Sequence, residues 1–315
     1  MYLSAEGIKE KAVELGADAV GIARVGQVKN KNKFLEWLAR GYAGEMKYLS
    51  RNQEERFNPA ELLPGAKSIV TIGVNYFPTD DDRAGMQGPY KIARYAWGED
   101  YHRVIRRILK KLRSYIEEKT PGLNSRICVD TAPFTDVYWA QTAGLGWQGK
   151  NTALISGEFG TWLLLGSLIT DVKIDKYDRP QADHCGTCTA CIDSCPTGAI
   201  EKPYILNAVR CISYWTIESK AETFPDDIKN RLQGWIFGCD ICLEVCPFNR
   251  FARPRKMPSF ARSKRIAHLE NGSVLKYSET EFENAFRLSP VSRPGFDGIR
   301  RNINQAQGTI SKKKR

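Results

Sequence analysis

The chain has little histidine and no long hydrophobic run. It has three histidines among its 315 residues, which argues against a haem or a histidine-rich metal site. Its longest apolar stretch, Trp162 to Ile169, is far shorter than the ~20 residues that a membrane-spanning helix needs, and it suits a buried strand. Residues 1–6 show no basic segment followed by an apolar one, so we expect no secretory signal.

Cysteine, by contrast, is abundant, with nine residues. In an oxidising compartment they would suggest disulfides. Without an export signal they suggest thiolates kept reduced for a metal, and we expect a cytoplasmic protein. Eight of the nine lie between Cys185 and Cys246. The ninth, Cys128, falls in a predicted strand and is most simply a small buried apolar residue.

The eight clustered cysteines form two copies of one pattern. The first copy, from Cys185 to Pro196, is C-x2-C-x2-C-x3-C-P, and the second ends at Pro247 with its first cysteine moved upstream. This spacing is typical of bacterial two-cluster ferredoxins, in which three close thiolates bind one [4Fe–4S] cluster and the fourth binds the other. We therefore predict cluster one at Cys185, Cys188, Cys191 and Cys246, and cluster two at Cys195, Cys211, Cys239 and Cys242.

Zinc ribbons and disulfides are the competing interpretations of these cysteines. Zinc sites usually pair two CxxC knuckles and do not require the longer pattern twice. Cys211 is the least secure ligand, because the loop between Cys211 and Cys239 replaces the usual short spacer. We favour two [4Fe–4S] clusters.

Positive charge is concentrated toward one end of the chain. The net charge is +11, and residues 250–315 hold sixteen Lys/Arg against five Asp/Glu, which accounts for all of it. Such an excess indicates a polyanion-binding surface, most often for nucleic acid. A solvated tail is the alternative, and we favour it for Ser311 to Arg315.

Hydrophobic periodicity predicts an α+β fold rather than a regular βαβ series. Arg56 falls in a predicted polar turn region, and the final residues, after Asn302, are expected to be frayed. The helix at 102–119 has a basic face that we interpret as solvated, with phosphate contact as the alternative. Helices are predicted at 4–15, 34–41, 102–119, 136–143, 263–277 and 279–288, and strands at 19–23, 68–75, 126–130, 152–155 and 162–169.

A glycine-rich stretch resembles two nucleotide-binding motifs without satisfying either. Gly144, Gly146 and Gly149 match the dinucleotide fingerprint, but that motif needs a strand before it and a helix after it, and here the predicted order is reversed. With Lys150 the stretch nearly forms a phosphate loop, but Asn151 stands where Ser or Thr is needed. We expect the glycines instead to let the backbone lie against a large flat ligand.

Unaided, the sequence predicts an iron–sulfur reductase whose first ~180 residues hold an unidentified electron acceptor. Six motifs, in one order, resemble the epoxyqueuosine reductase family. Members reduce the epoxide of epoxyqueuosine to queuosine at the wobble position of tRNA, using cobalamin and two [4Fe–4S] clusters, and are similar to reductive dehalogenases. The motifs are RYAWGEDYH at 94–102, VDTAP at 129–133, AGLGWQGKN at 143–151, CPTGA at 195–199, RCISY at 210–214 and GCDIC at 238–242.

The resemblance implies three regions. They are an N-terminal cobalamin-binding α/β sandwich-like catalytic domain at 1–178, a ferredoxin-like two-cluster domain at 179–252, and a short basic helical segment at 253–315 that contacts tRNA. Many members continue into helical repeats that this sequence lacks. We expect tRNA and an external low-potential electron donor as partners, no membrane, and a monomer.

The resemblance also implies the chemistry. Electrons would pass singly from the clusters to cobalamin, and cobalt(I) would attack the substrate. Asp130 would be the proton donor, with its pKa raised by burial beside the corrin. Asp136 receives no catalytic role, because Val137 follows it where members commonly carry arginine. The implied cobalamin contacts are Arg56, Ala93, Asp130, Asn151, Leu154, Leu165, Ala208, Ser213, Asp240 and Ile241.

Two other functions remain open from the sequence. One is a corrinoid reductive dehalogenase, although such enzymes usually carry an export signal and would not need a basic end. The other is an iron–sulfur electron-transfer or RNA-binding protein with no chemistry of its own. Corrin absorption and salt-sensitive tRNA binding would distinguish them.

Overall fold

A computed structural model describes residues 3–86 and 88–311 of the chain. Within those residues no helix combines the length and the apolar character needed to cross a membrane. The α-helices are α1 (Ala5–Glu14), α2 (Lys31–Ala39), α3 (Gln53–Phe57), α4 (Pro59–Leu62), α5 (Asp80–Ala84), α6 (Tyr101–Lys119), α7 (Asp136–Thr142), α8 (Ala190–Asp193), α9 (Ile212–Ile217), α10 (Asp226–Lys229), α11 (Ile241–Glu244), α12 (Lys264–Glu270), α13 (Glu279–Phe286) and α14 (Gly295–Ser311). The strands are β1 (Ala19–Arg24), β2 (Ser68–Asn75), β3 (Lys91–Ile92), β4 (Ser125–Cys128), β5 (Trp147–Gln148), β6 (Leu154–Ile155), β7 (Leu163–Thr170), β8 (Ile200–Lys202), β9 (Ile205–Leu206) and β10 (Trp235–Phe237).

The N-terminal part is built on a four-stranded antiparallel sheet with the order β1-β2-β7-β4. Strands β2 and β7 pair along eight residues, from Ser68 opposite Thr170 to Asn75 opposite Leu163. Both strands are rich in aliphatic residues that pack well on a pleated surface, and every residue of β2 is buried. The apolar run that predicted a buried strand therefore forms a central strand of this sheet.

Helices cover both faces of the sheet, because alternate residues of a strand point to opposite sides. On one face Ile105 of α6 packs in a cluster with Val70 and Ile72 of β2. On the other face Trp139 of α7 packs in a cluster with Ile69. The mixed α+β class is confirmed, and so is the helical stripe predicted for residues 102–119.

A second core joins the middle of the chain to its C-terminal segment. It takes buried residues from three stretches, 90–97, 208–237 and 266–306. Strand β3 pairs in parallel with β10, and α14 packs against β10. The basic segment is therefore not an appendage but part of a shared core. The domain boundaries drawn after residues 178 and 252 remain predictions.

The expectation of frayed residues after Asn302 is wrong for 303–311, because these residues belong to helix α14. Its apolar residues recur every three or four positions, so one face can be buried. Ile299 and Ile303 on that face are fully buried. The predicted solvated tail falls almost wholly in residues 312–315, which lie outside the described residues.

Three smaller expectations also change. The helix predicted at 263–277 is interrupted at Gly272, whose φ of 78° is left-handed, and a 3-10 helix (Ser273–Lys276) follows. A left-handed glycine commonly ends a helix. The polar turn region around Arg56 contains the short helix α3, and the strand predicted at 152–155 shortens to β6. The other predicted helices and strands are confirmed within a few residues at their ends, except that the strand predicted at 126–130 ends at Cys128.

Candidate active site

Asp130 lies two residues beyond the end of β4. The sequence predicted a strand that continues to Asp130, but β4 ends at Cys128 and Asp130 has a left-handed φ of 52°. Aspartate tolerates this conformation better than most residues, yet it is uncommon, and such outliers concentrate at functional sites. The Asp130 side chain is 58% exposed, so water or a substrate can reach the carboxylate.

Two side chains in the first turn of α6 approach the Asp130 carboxylate. The Tyr101 hydroxyl donates to Asp130 Oδ2 over 2.8 Å, and His102 Nε2 lies 3.2 Å from the same oxygen. On the other side of the ring, His102 Nδ1 lies 2.7 Å from Asp100 Oδ1. Asp100 is the N-cap of α6 and also accepts from the His102 backbone N–H. The imidazole therefore bridges two carboxylates.

This arrangement favours an imidazolium beside a carboxylate. Burial disfavours the charged ring, but the hydrogen bonds with Asp100 and Asp130 outweigh it and raise the pKa of His102 to about 9. Burial also acts to raise the pKa of Asp130, yet hydrogen bonds from His102 and Tyr101 leave it below its usual value. The predicted rise in the pKa of Asp130 is wrong, because these two donors outweigh desolvation.

Asp136, for which no catalytic role is expected from the sequence, is the carboxyl group whose pKa is raised. It is the first residue of α7, and its buried Oδ1 atom finds no hydrogen-bond partner in the part of the chain that the structure describes. Burial and then the negative charge of Asp130 raise the pKa of Asp136 to about 7, while the charge of Arg56 opposes this. The sequence offered no signal for this property, since it depends on neighbours that only the fold brings together.

The eight clustered cysteines fall into two groups in space, as their spacing predicted. Burial raises the pKa of most of these thiols, and within each group the neighbouring thiols raise it further. Cys211, the least secure prediction, lies in the group that was assigned to it. The outer quartet is Cys185, Cys188, Cys191 and Cys246, and the inner quartet is Cys195, Cys211, Cys239 and Cys242.

The quartets have donors suited to iron–sulfur clusters. The Ala199 N–H donates to Cys195 Sγ over 3.2 Å, and the backbone N–H groups of Ile241 and Phe248 donate to Cys239 and Cys246. Hydrogen bonds to sulfur tune the potentials of such clusters. In the described residues no group of three or more His, Cys, Asp or Glu side chains has the spacing of a single-ion site. The cysteines of a quartet do not need that spacing, because each thiolate binds a different iron of the [4Fe–4S] cluster.

Two short helices bring the two cysteine motifs together. Helix α8 contains Cys191 and helix α11 contains Cys242, and the two helices pack against each other. Each quartet combines three cysteines with a fourth from the other copy of the motif, so this contact is what completes both. The role of each cysteine as an iron ligand remains a prediction.

The glycine-rich stretch packs against the protein itself, so the expectation of a flat ligand there is wrong. A Cβ atom on Gly146 would lie 2.1 Å from the carbonyl oxygen of Ile155, and one on Gly149 would lie 2.4 Å from that residue's side chain. Gly144 has a φ of 80° and lies against the Arg179 carbonyl. The close β5–β6 pairing, rather than a ligand, accounts for these glycines.

The two polar residues after these glycines each donate hydrogen bonds to the backbone of one cysteine motif. Lys150 Nζ donates to the carbonyl oxygens of Gly186 and Cys188 over 2.6 and 2.8 Å, within the outer motif. Asn151 Nδ2 donates to the carbonyl oxygen of Cys242 over 3.1 Å, within the inner motif. The sheet domain and the cluster region are therefore joined at adjacent residues.

The residues implied as cobalamin contacts line two different cores. Ala93, Ala208 and Ile241 belong to the second core or pack against it. Leu154 and Leu165 belong to, or pack against, the core on the α7 face of the sheet. Ser213 is partly buried, at the beginning of α9. The polar members Asn151 and Asp240 already have partners, the latter accepting from the Arg94 N–H over 2.8 Å. These contacts remain predictions.

Arg56 and one cavity are the features that fit an additional group. Arg56 is buried, and its Nε atom has no hydrogen-bond partner among the described residues, which is costly unless a ligand supplies the acceptor. A cavity of about 610 Å³ is lined by residues that include Trp37, Gln148, Thr152 and Tyr204. This volume is typical of cofactor sites, although none of the implied cobalamin contacts lines it.

Part of the basic charge near the C-terminus is structural. Six arginines of the segment have internal partners, which reduces the charge left for a polyanion. They are Arg255 with Asp82, Arg262 with Glu270, Arg265 with the Ala285 carbonyl, Arg293 with Glu218, Arg300 with Asp297, and Arg301 with carbonyl groups at the end of α9. That the segment contacts tRNA remains a prediction.

An α/β sandwich joined to a module of two cysteine quartets defines an iron–sulfur oxidoreductase. Residues 184–249 match the model of the 4Fe-4S double cluster binding domain. Residues 56–131 match the model described as "Epoxyqueuosine reductase QueG, DUF1730". The epoxyqueuosine reductase of Synechocystis sp. is 42% identical, over 90% of this chain and 98% of that protein. The chain belongs to the epoxyqueuosine reductase family.

Solved structures agree with this assignment. An epoxyqueuosine reductase crystallised with an epoxyqueuosine-modified tRNA-Tyr stem loop has a TM-score of 0.86 and 30% identity, over 97% of this chain and 81% of that one. The Bacillus subtilis enzyme, with its catalytic aspartate loop swung out of the active site, has a TM-score of 0.87 at the same identity and coverage. These relatives do not favour a dehalogenase or a non-catalytic electron carrier.

Proposed function

We propose that the protein reduces epoxyqueuosine to queuosine at the wobble position of tRNA, with two [4Fe–4S] clusters and cobalamin as cofactors. The observation that carries this proposal is the hydrogen-bonded pair of Asp130 and His102 in the fold of an epoxyqueuosine reductase. The crystallised relative with an epoxyqueuosine-modified stem loop supports the same substrate. Conversion of the epoxide to an alkene consumes two electrons and two protons and releases water.

The two quartets would hold the clusters, and Arg56 with its unpaired Nε would bind a polar edge of the cobalamin. When bound, cobalamin supplies a strongly reducing cobalt centre that accepts electrons one at a time. Tyr95 indicates where this region lies. Burial raises the pKa of Tyr95, and the charges of Asp240 and then Asp130 raise it further. Tyr95 therefore lies between Asp240, which belongs to the inner motif, and Asp130, the proposed acid.

The protein supplies one of the two protons through His102 and Asp130. The oxygen of the opened epoxide must be protonated, because an alkoxide is a poor leaving group. With a pKa of about 9, His102 holds a proton at Nε2 at neutral pH. The Asp130 carboxylate is the more exposed group of the pair and passes that proton to the oxygen, while the Tyr101 hydroxyl keeps the carboxylate in place. Asp130 is therefore the proton donor, supplied by His102.

This assignment predicts how the rate depends on pH. The pKa of His102 is raised to about 9 in the folded protein, compared with about 6.5 when unfolded. Its stabilising contribution is complete below about pH 6.5 and is lost as the pH rises through about 9. We expect kcat to decline above about pH 9 with the same group. In His102→Gln the decline should move or disappear, which a pH–rate profile would show.

The test is anaerobic turnover of epoxyqueuosine-containing tRNA with a strong reductant, read by nucleoside mass spectrometry. Asp130→Asn should lower kcat by about 10²- to 10⁴-fold, the usual contribution of a positioned acid. Iron content and tRNA affinity should stay at parental values. Reduction at the parental rate by Asp130→Asn would remove Asp130 from the mechanism, and no conversion by the parent protein would refute the function itself.

We further propose that the protein acts as a monomer in the cytoplasm, where its tRNA substrate would be found, with an external low-potential electron donor. One chain contains the acid and both quartets, which supports the monomer. Exposed basic residues such as Lys110 and Lys111 on α6 and Lys264 on α12 are available for phosphate contacts. Binding should therefore weaken steeply with salt.

A further inference from the structure

Tyr48 presents an aromatic surface near the proposed acid. It lies in the 3-10 helix Lys47–Ser50 and is 47% exposed, although it is a large side chain. Partial burial raises the pKa of its phenol, and the carboxylates of Glu218 and Asp130 raise it further. The charges of both carboxylates therefore reach its hydroxyl. The Tyr48 ring takes no part in the proton transfer proposed for His102 and Asp130.

Arg293 lies over the same ring in a fixed orientation. Its guanidinium carbon is 6.0 Å from the centre of the Tyr48 ring. Its Nε and Nη2 atoms lie 2.8 and 2.9 Å from the two carboxylate oxygens of Glu218. A two-pronged pair of this kind fixes the plane of the guanidinium as well as its position. The positive charge of Arg293 also helps to lower the pKa of Asp130.

The segments that carry these residues are held together before any substrate binds. The Glu45 N–H donates to the Tyr214 hydroxyl over 3.0 Å. The Glu45 carboxylate accepts from the Ser219 hydroxyl over 3.1 Å and from the Lys220 N–H over 2.9 Å. From the C-terminal side, Arg301 donates to three carbonyl groups at the end of α9. Three distant parts of the chain are thus held in one defined arrangement.

We propose that Tyr48 and Arg293 form a stacking platform for the flat heterocyclic base of the substrate nucleoside. An exposed aromatic ring and an arginine plane are the two surfaces on which proteins stack unpaired bases. Glu218 keeps the arginine plane from turning, so little freedom is lost on binding. The platform places the base beside Asp130. This inference rests on the proposed function and adds the subsite that selects the base.

The experiment compares two RNA ligands with the anaerobic holoenzyme. One is an anticodon stem–loop carrying epoxyqueuosine, and the other is the same stem–loop with no base at that position, both followed by fluorescence anisotropy. Tyr48→Ala should weaken binding of the first ligand by about 10- to 100-fold and leave binding of the second unchanged. Tyr48→Phe, which keeps the ring, should bind both ligands as the parent does.

Arg293→Lys keeps the charge and removes the plane, so it should lose at least several-fold in affinity for the ligand that has its base. The matched control is Phe251→Ala. Phe251 is exposed to a similar degree, at 45%, and Arg250 lies over its ring. Removing this second ring should not change the difference in affinity between the two ligands. Iron content and far-UV circular dichroism report whether each variant is folded.

Two outcomes would overturn the platform. Equal weakening of both ligands by Tyr48→Ala would mean that Tyr48 serves the RNA backbone or the fold, and no weakening of either would mean that it has no part in binding. Turnover of the epoxyqueuosine stem–loop by the parent protein is measured in parallel. If the parent converts it, such results refute the platform alone, whereas lack of conversion would refute the proposed function.

Discussion

The outer and inner quartets share one cysteine pattern but have different surroundings. Cys188 of the outer quartet is exposed, and so are most residues of 181–189. In the inner quartet, Cys211 and Cys239 pack against the second core, and Asp240 between its cysteines is only 2% exposed. Solvent exposure and hydrogen bonding set cluster potentials. A repeated motif has therefore given two unequal sites, one open to solvent and one buried against the second core.

Under the proposed function, this inequality predicts a direction of electron flow. An external donor would approach the outer quartet, whereas Tyr95 lies near both Asp240 of the inner motif and Asp130. Lys150 and Asn151 attach the two quartets to the sheet domain separately. Each quartet can therefore be perturbed without the other, and the following predictions use this.

The largest effect is expected from removing one ligand of each quartet. Cys242→Ser should abolish turnover, because it interrupts the step nearest the substrate. Cys188→Ser should lower turnover at least tenfold with a protein donor but leave part of it with a small, strong reductant that can bypass the outer site. Each variant should lose about four irons of eight, measured by iron analysis and electron paramagnetic resonance. Equal residual activity in the two variants would contradict the assigned direction.

Cys128 provides the control for these variants. It is fully buried in β4, outside both quartets, and burial raises the pKa of its thiol to about 12. Cys128→Ala should therefore keep all eight irons. Loss of iron in this variant would mean that serine or alanine at any cysteine disturbs cluster assembly, and the comparison between the quartets would lose its meaning.

An intermediate effect is expected at the two attachment points. Lys150→Met removes two charged hydrogen bonds to the outer motif, and Asn151→Ala removes one neutral bond to the inner motif. We expect unfolding free energies lower by roughly 2–4 and 1 kcal/mol, respectively. Lys150→Met should also speed the loss of outer-cluster absorbance to a chelator. Denaturant titration and visible absorption measure both effects, and faster inner-cluster loss in Lys150→Met would contradict the prediction.

The smallest effect concerns the inner potential alone. Thr197 is buried, and its hydroxyl lies 3.7 Å from Cys195 Sγ. Thr197→Val should lower the potential of the inner cluster by roughly 20–60 mV, the equivalent of one modest hydrogen bond for a one-electron couple. Thr189→Val, next to the outer quartet, is the control, because the Thr189 hydroxyl donates to Asp193. A redox titration in which both variants shift the inner cluster equally would contradict this role.

The sequence predicted what depends on spacing along the chain. The grouping of the cysteines, the stripe of α6 and the central strands all follow from local periodicity, and the fold has each of them. It did not predict the pKa of Asp130, which depends on two residues about thirty positions earlier. Nor did it predict that the glycines after 143 pack against the chain, because a glycine pattern reports closeness without identifying the neighbour.

Helix α14 has a consequence for biogenesis. Ile299 and Ile303 complete the core against which Cys211 and Cys239 pack. These residues emerge from the ribosome after all eight cysteines, so the nascent chain exposes its thiols before their pocket can close. Insertion of the inner cluster is therefore expected to follow translation, and shortening of α14 should yield protein that is synthesised normally but matures with half its iron.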